Sequence, residues 1–281
     1  MSFIKGILGF IQNYFKSLIF LVLIYLLFAP SSDKEFKRAN LMKINLSGPI
    51  MSDEEFLKNI EKAMKPNIKG ILLVVDSPGG AVAPSIEMSM AIKRVKKSKP
   101  VVAYAKGIMA SGSYYAAIHA DKIIANPGAT IGSIGVIFNS PNFEELAKSL
   151  GIKEQIVSAG KYKQIGTPTR TWQPHERAEL QKIIDNTYTM FITDVANARG
   201  LDIDKSSEFA DAHVFTAMGA KRVGLIDELG SIYEAKKMII DLSGVSDPIW
   251  MKEDKFDKFM DKIISKASFN IYSYFYGLKA I

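Results

Sequence analysis

The chain has 281 residues, room for one large or two small domains, and 48% of them are apolar, which supplies a sizeable core. It contains no cysteine, so thiol nucleophiles, thiolate metal sites and disulfides are excluded together. The formal charge of +7 is spread along the chain with no aromatic-interleaved basic patch, which argues against nucleic acid as a partner; His119, His175 and His213 share no short metal-ligand spacing, so no metal is expected.

Ser17 to Ala29, SLIFLVLIYLLFA, is an unbroken apolar run of thirteen residues, lengthened by Tyr14 and Phe15 once Lys16 snorkels. It is either the core of a signal peptide or an uncleaved anchor. Leu27-Phe28-Ala29 followed by Pro30 is a poor cleavage site, which favours an anchor over residues 14–30 behind a short segment 1–13. Lysines on both sides of the run leave its orientation open. Residues 31–40 are polar and read as a linker.

From Leu41 the pattern is α/β, and an α/β domain over 41–245 is expected. Met42 to Leu46 reads as a strand, and Ser52 to Met64 as an amphipathic helix with Ser52 and Glu55 at capping-box spacing. Gly70 to Val75, GILLVV, is a continuous apolar run of the kind buried in a parallel sheet, and it ends in Asp76-Ser77-Pro78-Gly79-Gly80. A helix is predicted from about Pro84 to Lys97, then a strand over Val101 to Ala105, a bend through Gly107 to Met109, and Ser111-Gly112 opening another helix. A serine at such a turn suits a nucleophile; the alternative is an N-cap. Further strands are read at Ile123-Ile124 and over Ile131 to Phe138, where Gly132 and Gly135 point to a bend or a close approach. Helices are predicted over Phe143 to Leu150, Pro174 to Arg199, Val214 to Gly224 and Ser231 to Leu242. The tail, 246–281, is read as helical, with aromatics near its end, and either docks on protein or touches a membrane surface.

A serine hydroxyl needs a base. His119 lies two helical turns past Ser111, too far to reach, and neither His175 nor His213 sits in a turn context typical of a site. Lysine serves if desolvation lowers its pKa, which the glycine-rich surroundings of Lys163 would favour. Gly79-Gly80, after a buried strand, lets backbone N–H groups approach a developing oxyanion with no Cβ in the way.

Asp76-Ser77-Pro78-Gly79-Gly80, Met109-Ala110-Ser111-Gly112-Ser113-Tyr114-Tyr115, Ala120-Asp121-Lys122-Ile123, Gly132-Ser133-Ile134-Gly135-Val136, Gly160-Lys161-Tyr162-Lys163 and Gly224-Leu225-Ile226-Asp227-Glu228-Leu229-Gly230 occur in that order. Together they resemble the signal peptide peptidase A family of membrane-bound serine–lysine peptidases, in its short single-domain form, over roughly Leu41 to Leu242. Ser113 departs from the glycine of many relatives. The resemblance implies a ClpP/crotonase-like fold with Ser111 as nucleophile, Lys163 as general base, the Gly80 and Ser111 amides as oxyanion hole and Ser133 orienting the lysine. It implies no metal or organic cofactor, remnant signal peptides as substrates, and a ring-shaped homo-oligomer sharing the dyad between protomers. It also implies a single-pass protein of a bacterial inner membrane with its catalytic domain outside the cytoplasm. Two rival readings are a crotonase-type acyl-CoA enzyme and a non-catalytic membrane scaffold of the same fold.

Overall fold

The structure is a computed structural model that describes residue 12, residues 14–22, residue 24 and residues 38–252. The described N-terminal residues are helical and carry exposed apolar side chains, among them Phe15, Phe20 and Leu21. No helix among the described residues is long and apolar enough to cross a membrane. Most of the second half of the expected anchor, and the tail beyond Lys252, lie outside the described residues. A separate compact unit begins at Ala39.

That unit is built on a sheet of seven strands among the described residues: β1 (Leu41–Ser47), β2 (Gly70–Ser77), β3 (Val101–Ala110), β4 (Lys122–Ala125), β5 (Thr130–Gly132), β6 (Val214–Thr216) and β7 (Glu228–Leu229). The order is β1-β2-β3-β4-β7, all parallel, with β5 joining the far end of β3 and pairing antiparallel with β6. Between them run helices α1 (Glu54–Ala63), α2 (Val82–Lys96), α3 (Gly112–Ala117), α4 (Glu144–Ser149), α5 (Pro174–Arg199), α6 (Ser206–Phe209), α7 (Ala217–Arg222) and α8 (Ile232–Ser243).

Side chains alternate across a strand, yet β2 is apolar at nearly every position because both its faces are covered. Ile71, Leu73 and Val75 join the main core with Ile92 and Tyr114, while Leu72 and Val74 pack on the other face against Ala235 and Ile239 of α8. Each such side chain contributes about 1.5–3 kcal/mol on leaving water. The turns between elements are tied by carboxylates of the sequence motifs. Asp121 accepts the Val101 N–H at 2.8 Å, and Asp227 accepts the Ile123 N–H at 2.7 Å and pairs with the nearly buried Arg199 at 3.1 Å.

Four local expectations are corrected. The strand read over Ile131 to Phe138 stops at Gly132, since Ser133 takes φ +50°, which turns the chain out of the ladder. Val214 to Gly224 is a strand followed by a helix, the strand being fixed by pairing with β5 rather than by its own periodicity. Ser52 lies outside α1, its hydroxyl accepting the Glu54 N–H at 3.2 Å, so Asp53 occupies the cap position and the Ser52/Glu55 box does not form. After α8 the chain returns to the sheet instead of continuing as a helix: Trp250 bridges Leu41 in parallel and the Met251 N–H donates to the Leu41 carbonyl at 2.8 Å.

Candidate active site

The carboxyl ends of β2 and β3 build the site. The two strands stay in register from Ile71↔Val101 to Val75↔Ala105; Ser77 then pairs with Met109, so β3 carries two extra residues. Asp76 holds this bulge, accepting the Ile108 N–H at 3.1 Å, while Gly107 fits only because it lacks a Cβ, which would lie 2.6 Å from the Asp76 carboxylate. A bulge redirects the strand that carries it. Past this one, β3 leaves β4 and pairs with β5, Ala110 opposite Gly132.

Ser111 stands at this point with φ +53° and ψ −125°, a conformation that costs a non-glycine residue about 1–3 kcal/mol and persists only when its surroundings impose it. Its N–H donates to the Gly132 carbonyl at 2.8 Å, and its carbonyl accepts the Tyr115 N–H at 2.9 Å. The buried Ser113 hydroxyl accepts the Ala110 N–H at 2.9 Å and lies 2.6 Å from the Ser77 carbonyl and 2.9 Å from the Ala110 carbonyl, tying the end of β2 to the residue before Ser111. The Ser111 hydroxyl makes no cap hydrogen bond, so the N-cap alternative fails and the oxygen is left for other chemistry.

Opposite it, the Ile50 N–H donates to the Gly79 carbonyl and the Ala81 N–H to the Ile50 carbonyl, both at 2.8 Å, which fixes the peptide planes around Gly80. Gly79, at φ +92°, packs so closely that a Cβ would lie 2.5 Å from the Gly112 nitrogen. The Ser111 amide, expected in the oxyanion hole, is instead committed to Gly132, because β5 extends the ladder to it. Among the described residues the Gly80 and Gly112 N–H groups have no protein acceptor, and they are the free pair beside the serine.

An open groove runs from Gly80, Ser111 and Gly112 over Val82, Ile86, Tyr115 and Val136 to Thr187, Met190 and Phe191 of α5. Its wall is tied down through Tyr115, whose ring packs on Phe191 at 4.6 Å and whose hydroxyl is hydrogen-bonded to Asp194. Burial and that carboxylate push the Tyr115 phenol well above its ordinary range. The α5 lining was not anticipated as site, although Thr187 and Phe191 sit at helical spacing in the sequence and signal a face turned to the domain.

Ser133 follows Gly132 directly and donates its N–H to the His213 carbonyl at 2.7 Å, so Ser111, Gly80 and Ser133 are brought into one neighbourhood. Lys163 is not. From the sequence Lys163 is expected to be shut in beside Ser111 and Ser133, and Lys161 to reach solvent or a neighbouring subunit; both are exposed, on consecutive turns in which the Lys163 N–H donates to the Gly160 carbonyl at 3.1 Å. Lys163 makes no side-chain hydrogen bond or ion pair among the described residues and does not line the groove. The cause is that residues 150–163 pack on little of their own chain.

A strained serine at the carboxyl end of a parallel sheet, two free amides beside it and an apolar groove form the nucleophile and oxyanion half of an acyl-transfer site. The profile of peptidase family S49 matches residues 93–246, and the chain belongs to that family. The Methanocaldococcus jannaschii protein MJ0651, a protease by name, is 41% identical over 68% of this chain and 61% of its own length. The Synechocystis protein slr0021, also a protease by name, is 35% identical over 75% of this chain and 77% of its own. Among solved structures, a serine-to-alanine mutant of the 1510-N membrane-bound stomatin-specific protease shares the fold with a TM-score of 0.53 at 19% identity, covering 78% of this chain and all of that one.

Proposed function

We propose that this protein is a membrane-anchored endopeptidase of ClpP/crotonase-like fold that cleaves remnant signal peptides on the extracytoplasmic side of a bacterial inner membrane. Its nucleophile is Ser111 and its base is Lys163 of a neighbouring protomer. The observation that carries the reading is the Ser111 turn, whose strain, free hydroxyl and flanking amides have no structural use. The solvent-exposed Lys163, on a segment rich in exposed apolar residues, supports a site completed by a second chain.

In this mechanism the Lys163 amine takes the Ser111 Oγ proton as Oγ bonds to the peptide carbonyl carbon. The carbonyl oxygen becomes an oxyanion and accepts from the Gly80 and Gly112 N–H groups. Collapse breaks the C–N bond, with the lysine ammonium returning its proton to the leaving amine. Water, deprotonated by the same lysine, then attacks the acyl-enzyme and frees Ser111. Burial of the amine by a neighbour would favour its neutral form, and Ser133 would orient it.

Ser111→Ala, Lys163→Ala and Lys163→Arg should each reduce hydrolysis of a fluorogenic peptide to background with circular dichroism unchanged, arginine failing because it stays charged. A fluorophosphonate should label wild type and not Ser111→Ala. Hydrolysis retained by Lys163→Arg would remove the lysine base, and acyl-CoA turnover would favour the crotonase reading instead.

A further inference from the structure

Positive charge is dispersed along the sequence, but the fold gathers part of it. The turns from α1 to β2 and from α2 to β3 lie together at the amino end of the parallel sheet, opposite Ser111. Lys62, Lys65 and Lys69 come from the first turn, and Arg94, Lys97 and Lys99 from the second. All are exposed except the partly buried Lys99, which staples the two turns by donating from Nζ to the Ala63 and Lys65 carbonyls, both at 2.6 Å. Burial and the neighbouring Lys69 push the Lys99 ammonium down from its ordinary value.

Counter-charge is sparse here. Asp121 is occupied by Lys96 at 3.4 Å and Asp227 by Lys122 at 3.5 Å and Arg199 at 3.1 Å, and further carboxylates at this end include Glu61 on the last turn of α1, Asp241 on the last turn of α8 and Asp247 on the returning chain. Among the described residues, Lys65, Lys69, Arg94 and Lys97 pair with no carboxylate. Like charges gathered this way repel one another unless an external anion meets them.

The same turns hold the root of the N-terminal segment. The Lys69 N–H donates to the Asn40 carbonyl and the Asn67 amide to the Ala39 carbonyl, both at 2.7 Å. The Asn40 side chain in turn binds the Asp247 carbonyl and the Ile249 N–H, each at 2.8 Å, so the chain that returns after α8 is tied to the same root. Only nine residues separate Ala29, the last of the apolar run, from Ala39, a reach on the order of 30 Å at full extension.

We propose that this amino end of the sheet is a docking surface for anionic lipid headgroups. The proposal rests on the membrane-anchor reading above. It places Ser111, beyond the ten residues of β3, roughly 30 Å from the lipid at about 3.3 Å per residue, so that a peptide must be drawn well clear of the bilayer before it is cut.

The cysteine-free chain allows a clean test. Full-length protein carrying Ser98→Cys in this patch, or Met218→Cys on α7 at the site end, is labelled with a fluorophore and reconstituted into vesicles containing a headgroup quencher. Quenching at position 98 should rise when phosphatidylglycerol is added to phosphatidylcholine, fall with added salt, and lose its lipid dependence by at least about fivefold in a Lys65→Glu, Lys69→Glu, Lys97→Glu background. Quenching at position 218 should not respond, and hydrolysis of a soluble peptide should be unchanged. Equal quenching at 98 in both lipids, or no effect of the three substitutions, overturns the proposal. Failure of the anchor itself is read separately, as release of the chain from pure phosphatidylcholine vesicles by an alkaline wash.

Discussion

At the nucleophile the spacing of atoms leaves no room for a methyl group. A Cβ at Gly112 would lie 2.2 Å from the Ser85 hydroxyl oxygen, and one at Gly80 would lie 2.1 Å from the Ile50 carbonyl oxygen. The two collisions differ in kind, since the first partner is a side chain and the second is backbone held in a bridge. Gly112→Ala should therefore destabilise by about 1–3 kcal/mol, the usual cost of overpacking, and Ser85→Gly should recover much of that loss. Gly80→Ala should lose stability and activity with no such rescue. Denaturant midpoints of the single and double variants decide this, and failure of Ser85→Gly to help would place the strain elsewhere. Ser113 tests the same turn from beneath. Ser113→Ala leaves the buried Ala110 N–H without its acceptor, and should cost about 1–3 kcal/mol while lowering kcat more than it raises KM, because the hydroxyl touches the turn and not the substrate.

Among the elements, the segment between β5 and α5 stands apart. Helix α4 buries none of its residues, and Ile137, Leu150 and Val157 are exposed. Its root is nevertheless fixed: Arg170 makes two hydrogen bonds of 2.8 Å to the two oxygens of Glu176, whose carboxylate also accepts the Gln173 N–H at 2.8 Å in the capping box of α5. Those bonds, the Arg170 guanidinium first, hold the Glu176 carboxyl down at about 2 against an ordinary 4.5. A depressed carboxylate contributes stability that is fully present above its unfolded pKa and is lost as pH falls through the folded one. The advantage of wild type over Glu176→Gln should thus be full above about pH 4.5 and vanish as pH approaches 2, read as denaturant midpoints of both proteins along that range. An advantage that persists at the acid end would mean that the bond geometry, and not the charge, holds the root. This segment is also where sequence was least informative. Strands β2 and β3 announce themselves as apolar runs, and α5 by its proline, capping residues and spacing. The Gly160 to Lys163 stretch has no apolar period to fix its conformation and folds into turns, which local residues do not dictate.

For the molecule as a whole, Gly80, Ser111 and Ser133 were legible because each sits in a glycine-marked turn at a strand end, where backbone alone brings them together. That the Ser111 amide is committed to Gly132 while the Gly112 amide is free was not, since it depends on which strand pairs with the last residues of β3. The proposed meeting of Lys163 with Ser111 would lie beyond both sequence and a single chain: Ser111 lines the groove and Lys163 stands in solvent on a segment whose apolar residues are uncovered. Burying such residues against a second copy would gain about 25 cal/mol per Å² of apolar surface and shut the lysine away from water at the same step, so that assembly and activation become one event. Two consequences separate this from a chain that closes on itself. Hydrolysis per chain should fall steeply on dilution through the concentration at which the oligomer dissociates, measured by sedimentation alongside turnover. Mixing inactive Ser111→Ala with inactive Lys163→Ala and allowing subunits to exchange should restore activity, because some interfaces then join an intact serine to an intact lysine. Random mixing of equal amounts makes one pairing in four of that kind, so recovery near a quarter of the wild-type rate is expected, by the roughly independent behaviour of sites that share no partners. Mixed oligomers verified by mass that hydrolyse nothing would assign Ser111 and Lys163 to the same chain, and would require the segment carrying Lys163 to fold back over its own groove.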